Sequence, residues 1–319
     1  MPSQELRSKI GWNALGYAIS LCIVAIAASA LFQLARDIEP ARIAEALRGT
    51  PLSEVAIAGG LVAASYVTLT FYEFFALRTI GCHIVPYRTA ALSSFTSYSI
   101  GHNVGAMVFT AALVRFRIYS SWGLGLIDIA KIAFVTGLTF WLGNTFVLAC
   151  AMLYDPNSAS AIDQVPPRLN QALGLVGILV IIAYLAWLNA RSRVLGRQGW
   201  QVVLPSARLT LVQIGIGALD LVLVALAMDS VLPADPPIAF VTVLCVFVAA
   251  MLLGFASHTP GSLGVFEAAM LVGLADFDKE RLIAALLIFR LLYFILPLLL
   301  ALATLGVREL WRTARPAPS

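Results

Sequence analysis

Long apolar runs, repeated along nearly the whole chain and separated by short charged loops, limit this sequence to a membrane architecture. A helix of about 20 apolar residues spans the roughly 30 Å hydrocarbon core of a bilayer. Apolar runs cover residues 12–34, 52–77, 124–153, 173–188, 209–232, 238–256 and 282–307, and an interrupted one covers 87–114. They amount to about eight membrane segments. The longest polar stretches, 155–171 and 191–208, are too short to fold alone. Charged residues make up 12% of the chain, about half their usual share in a soluble domain. The expected fold is therefore an all-α integral membrane protein, with one polytopic domain over residues 1–319. The first run is long for a signal-peptide core and has no convincing cleavage site, so it reads as a retained helix.

The net charge of +4 does not point to nucleic acid, because the basic residues lie between the apolar runs, where they set topology. One parity places Arg7, Lys9, Arg78, Arg88, Arg115, Arg117, Arg191, Arg193, Arg197, Arg208, Arg308, Arg312 and Arg315 in the cytoplasm. It leaves only Arg36, Arg42, Arg48, Arg168, Lys279 and Arg281 outside. Both termini are then expected to be cytoplasmic, in a multi-pass protein of the bacterial inner membrane. Cys22, Cys82, Cys150 and Cys245 form no C-x-x-C pair and read as small hydrophobes.

Two segments break the apolar pattern. The first begins with Ser93-Ser94-Phe95-Thr96-Ser97-Tyr98-Ser99, breaks at Gly101-His102-Asn103-Val104-Gly105 and resumes over 106–114. The second follows the run 238–256, breaks at His258-Thr259-Pro260-Gly261-Ser262-Leu263-Gly264 and resumes over 265–275. The loop charges require each segment to return to the side it came from, which a re-entrant hairpin would do. About 9 residues, as in 106–114, cannot cross as a helix. His102 and His258 lie 156 residues apart (258 − 102), about half the chain. Each half then reads as helix, helix, broken hairpin, helix. Three crossings per half would make residues 1–155 and 170–310 inverted repeats, an arrangement that recurs in transporters with broken helices at the repeat interface.

Broken backbone at membrane depth is tolerated only inside protein or beside a water-filled cavity. The restarted half-helices would offer free N–H groups and partial positive charge to a lipid phosphate. Gly261 and Gly264 relax the backbone there, and Pro260 removes a donor. Among ionisable residues at depth, Glu267 is expected to pair with Arg290, with Asp220 nearby, either lining a polar cavity or fixing the hairpin. Asp128 and Lys131 are spaced to pair with each other. Arg115 and Arg117 flank Phe116 and suit anionic headgroups at the cytoplasmic face. His102, Asn103 and His258 sit in the breaks, where a histidine could hydrogen-bond a headgroup, carry a proton or satisfy a helix end. There is no Walker-A loop, no H-E-x-x-H and no G-x-S-x-G elbow. Three scattered histidines do not make a metal site, so neither a catalytic constellation nor a cofactor is expected.

Val114-Arg115-Phe116-Arg117-Ile118-Tyr119-Ser120-Ser121-Trp122-Gly123-Leu124, with Ala130-Lys131-Ile132 and Leu138-Thr139-Phe140-Trp141-Leu142-Gly143, resembles the membrane domain of the lysylphosphatidylglycerol synthase/flippase family. Thr259-Pro260-Gly261-Ser262-Leu263-Gly264-Val265-Phe266-Glu267-Ala268 is similar to that family's P-G-G-x-G-x-x-E signature. The resemblance implies movement of a polar-headgroup lipid between leaflets. It places the substrate at Pro260, Gly261, Gly264 and Glu267. Ser262 stands where the family has a glycine, and Ala111-Ala112 where a glycine-rich pair is expected; both bear on the substrate. No aminoacyltransferase domain follows the last helix, so synthase activity is not expected. The expected function is a lipid flippase for an anionic or aminoacylated lipid, with membrane phospholipids as partners. The alternative is a non-transporting anchor or regulator of a separately encoded lipid-modifying enzyme, which the missing transferase would favour.

Overall fold

A computed structural model of the protein describes residues 39–313 apart from 106, 192, 198 and 199. The expected helix at 12–34 lies outside the described residues, as do Cys22, Arg7, Lys9, Arg36 and Arg315. Among the described residues, six helices are long and apolar enough to cross a membrane. The fold is all-α apart from one small hairpin, as the apolar runs require.

A short helix, α1 (Pro40–Gly49), precedes the first of these spans, α2 (Leu52–Thr79). α2 ends where Gly81 takes φ +80°, a conformation that suits glycine, and Cys82 N returns to Leu77 O at 2.9 Å. The first hairpin is α3 (Tyr87–Val104) and α4 (Met107–Tyr119). Then come α5 (Leu126–Tyr154), the surface helix α6 (Pro156–Asp163) and α7 (Pro167–Ala190). Asp155 caps α6 through Ser158 N at 3.4 Å. The loop after α7 holds an antiparallel pair, β1 (Val194–Arg197) and β2 (Trp200–Val203). α8 (Ala207–Asp229) and α9 (Phe240–Ser257) follow. The second break carries a single turn at Pro260–Ser262 and leads to α10 (Val265–Gly273). A last span joins α11 (Lys279–Arg290), a π-turn (Leu291–Ile295) and α12 (Leu296–Thr313).

Several boundaries correct the sequence reading. The first segment stays helical through Gly101 and breaks only beyond Val104. Its second arm runs to Tyr119 instead of stopping near Val114, because Arg115 is buried within the helix and paired. At 13 residues it still measures only about 20 Å. α9 has 18 residues, about 27 Å, whereas α10 has nine, about 14 Å. The stretches expected to be loops at 155–171 and 191–208 contain α6 and the β-hairpin. Asp128 accepts from Gly125 N at 3.0 Å at the start of α5, in place of the expected pair with Lys131.

Small residues let the spans approach closely, as membrane packing requires. A Cβ on Gly143 of α5 would lie 2.8 Å from the Gly217 backbone of α8, and one on Gly174 of α7 would lie 2.9 Å from Ala149 O. The aromatic side chains Phe247, Phe266, Phe289 and Tyr293 form a buried cluster beneath the second break.

Candidate functional site

The two broken segments meet. Gly105 adopts φ +80° and ψ −179°, which only glycine reaches without strain. A Cβ there would lie 3.2 Å from Pro260 Cα. From the other side, a Cβ on Gly261 would lie 3.9 Å from the carbonyl oxygens of His102 and Asn103. The turn of each hairpin is therefore packed on the turn of the other.

Side chains fix this junction. Arg290 donates from Nε to Glu267 Oε1 at 2.8 Å and from Nη1 to Gly261 O at 3.0 Å, while Nη2 also bonds Glu267 Oε1. Glu267 Oε2 accepts from Gly264 N at 2.8 Å and so caps α10. The guanidinium lies 5.0 Å from the centre of the Phe294 ring. All three arginine nitrogens and both carboxylate oxygens are thus engaged. Of the two roles left open for this pair, fixing the hairpin accounts for every one of these bonds.

The π-turn after Arg290 gives up regular helical hydrogen bonding, and neighbouring side chains take its carbonyls. Asn103 Nδ2 donates to Phe294 O at 3.0 Å as well as to Ser99 O at 2.7 Å, and Tyr66 Oη donates to Tyr293 O at 3.1 Å. His102 stacks on Tyr293 with ring centres 5.7 Å apart, and its Nδ1 is buried with no partner in the protein. His258 is exposed at φ +56°, where it ends α9. Ser262 also has a positive φ, +53°, at the position where the resemblance expects glycine.

A cavity of about 190 Å³ opens beside the junction. His102, Gly105, His258, Thr259 and Ser262 form its polar end, and Met107, Val108, Phe109, Phe140, Met251 and Phe255 its apolar walls. Phe109 is 77% exposed and Val108 is exposed too, so one wall borders the outer surface of the bundle.

The structure thus brings Pro260, Gly261, Gly264, Glu267, Arg290, His102, Asn103 and His258 together. Three expected site residues stand apart. Asp220 is not beside the Glu267–Arg290 pair; its partners are Ser65 and Thr68 of α2, because α8 packs its polar face on that helix. Arg115 is not exposed to headgroups. It is buried and donates to both oxygens of Glu73, from Nε at 3.0 Å and from Nη2 at 2.9 Å. Arg117, two residues on, points to the exposed side of α4.

Glu73, Ser65, Thr68 and Tyr293 are the polar residues whose partners the sequence did not reveal. The spacing Ser65-Tyr66-Thr68-Thr70-Tyr72-Glu73 inside an apolar run was the available signal, since polar groups at membrane depth need partners.

No protein-family model matches the chain. It is 26% identical over 299 residues to an uncharacterized protein of Synechocystis, spanning 93% of this chain and 92% of that one. A 70-residue stretch, 21% of this chain and 8% of the relative, is 39% identical to the phosphatidylglycerol lysyltransferase of Staphylococcus haemolyticus. Over 249 residues, 76% of each chain, it is 30% identical to inner membrane protein YbhN of Escherichia coli strain K12. The apolar spans, the hairpin whose Pro260–Glu267 signature Arg290 holds, and this similarity converge: the chain belongs to the family of inner membrane protein YbhN and of the lysylphosphatidylglycerol synthase/flippase membrane domain, a multi-pass protein of the inner membrane.

Proposed function

We propose that the protein moves a lipid with a polar headgroup, anionic or aminoacylated, between the leaflets of the inner membrane. One observation carries this reading: two broken segments from different halves of the chain meet at a cavity with a polar end and an apolar wall facing the lipid side. Such a site takes a headgroup among the turns while the acyl chains remain in the bilayer. Non-helical backbone at membrane depth belongs where it lines a cavity or is buried in protein. The 70-residue similarity to phosphatidylglycerol lysyltransferases supports a phospholipid as the ligand class.

At about 190 Å³ the cavity is smaller than the roughly 300–1,000 Å³ of ordinary ligand sites. Transport on this reading requires the two turns to separate, with Arg290 releasing Gly261 O. The inverted-repeat reading supplies a motion, the rocking of one half against the other, and the Lys and Arg distribution of the loops favours cytoplasmic termini.

The test is a leaflet-accessibility assay in proteoliposomes with labelled anionic, aminoacylated and isoprenoid lipids. Redistribution of one class by the wild-type protein, reduced in Gly105→Val, is the expected result. Unchanged distribution of all three, with correctly inserted protein, would exclude it. The bonds by which Glu267 and Arg290 fix the hairpin favour a second reading, a non-transporting partner of a lipid-modifying enzyme. That reading predicts no redistribution and co-purification with such an enzyme.

A further inference from the structure

Asp220 lies within α8 and is 6% exposed. Its Oδ1 is 2.5 Å from Ser65 Oγ and 3.1 Å from Thr68 Oγ1. Among the described residues no cation reaches it: Arg115 is committed to Glu73 and Arg290 to Glu267. The titratable groups facing it are all tyrosines, Tyr66 and Tyr72 from α2, Tyr98 from α3 and Tyr293 from the π-turn. α5 brings Gly143 and the Thr139 carbonyl against Gly217 on this side, neither of which titrates, and Cys245 of α9 packs with Ala151 and Ala159. A bare carboxylate in such a place is disfavoured, because nothing compensates its charge.

Counting hydrogens sharpens the point. Thr68 Oγ1 has one proton and two acceptor neighbours, Ser65 O at 2.7 Å and Asp220 Oδ1 at 3.1 Å. Ser65 and Thr68 both donate to Oδ1, and Thr68 shares its proton with Ser65 O, so among the described residues only one full and one shared hydroxyl bond meet the carboxyl charge.

The face of α8 that carries Asp220 is polar toward the start of the helix. Thr210, Gln213, Gly217 and Asp220 are spaced by three, four and three residues, which puts them on one side. Thr210 and Gln213 are buried, and Thr210 Oγ1 and both side-chain amide atoms of Gln213 have no partner in the protein. Buried polar atoms are nearly always hydrogen-bonded, so this row of unpartnered groups marks a track for something that exchanges hydrogen bonds.

We propose that Asp220 is a proton-binding site inside the membrane, which exchanges its proton with the side on which α8 begins, along Gln213 and Thr210. The inference rests on the geometry around Asp220 and not on lipid movement. For a lipid transporter, it would supply the group through which a proton gradient acts.

Infrared difference spectroscopy of the protein in liposomes tests this directly. The wild type should show the C=O stretch of a protonated carboxyl near neutral pH, lost reversibly on alkaline titration. Asp220→Asn should lack that band, and Asp220→Glu should move it, which serves if the Asn variant does not fold. In heavy water, Gln213→Leu should slow the isotope shift of the band severalfold. A missing band at every pH, a band unchanged in both Asp220 variants, or one displaced by sodium at constant pH would overturn the site. An unaltered exchange rate in Gln213→Leu would overturn the route. The readout needs no transported lipid, so its outcome is separate from that of the leaflet assay.

Discussion

The two hairpins are each held by one acidic–basic pair, and the pairs sit in different surroundings. Glu73–Arg115 is sealed, with side-chain exposures of 0% and 4%, and the Tyr119 hydroxyl also donates to Glu73 Oε1 at 3.0 Å. Glu267–Arg290 is more open, at 21% and 14%, and also binds backbone of the broken turn at Gly261 and Gly264. The first hairpin is thus anchored on its returning arm, ten residues beyond Gly105 (115 − 105), while the second is anchored at the turn itself. A sealed pair on a continuous helix is a fastening. A more open pair that holds a kinked turn beside a cavity is, on the proposed reading, the one whose bonds a ligand's charges would replace.

That contrast can be broken by mutation, and the sealed pair should give the largest effect. Glu73→Ala strands the buried Arg115 guanidinium inside the protein and should destabilise it by about 3–5 kcal/mol, read as a lower unfolding midpoint in detergent. The double variant Glu73→Leu/Arg115→Met should recover most of it, because an apolar pair needs no desolvation. A loss below about 1 kcal/mol in the single variant would mean the pair is solvated and the contrast false. Glu267→Ala removes a helix cap and the main partner of Arg290. At its partial exposure the expected cost is about 1–3 kcal/mol, with lipid redistribution reduced more than the amount of folded protein. If stability and transport fall together, the second pair is only another fastening.

The contact between turns gives smaller effects. Gly105→Ala forces a side chain into a glycine-only conformation against Pro260. It should cost about 1–3 kcal/mol and leave Glu73–Arg115 intact, so a melting curve separates it from the first variant. Ser262→Gly should have the smallest effect, a gain of at most about 1 kcal/mol. It relieves a positive φ but adds backbone freedom to the unfolded chain. A clear loss would show that the Ser262 hydroxyl has a role at the cavity.

Much of this was legible in the sequence where a signal was local and strong. The apolar runs mark the six spans, and the glycines, Pro260 and the histidines mark the two breaks. The pairing of Glu267 with Arg290 follows from the sequence because so few charges lie at depth. Arg115 was misplaced for the opposite reason: near an apparent helix end it looks like an interfacial arginine. The partner that buries it, Glu73, is 42 residues earlier in the chain. The β-hairpin at Val194–Val203 was missed because its pairing depends on register across a turn and not on hydrophobic period.

Composition and period by themselves determined that this is a helical membrane protein with two interrupted segments. A bilayer leaves a chain of such runs no other way to satisfy its backbone. Tertiary structure alone decided the partners of Arg115 and Asp220. A buried ion pair forms between residues brought together by helix packing, and nothing in the local sequence of Ser65, Thr68 or Glu73 names Asp220 or Arg115 as the partner. It also decided that the two breaks touch: Gly105 and Pro260 approach to van der Waals distance only because the two hairpins pack turn to turn.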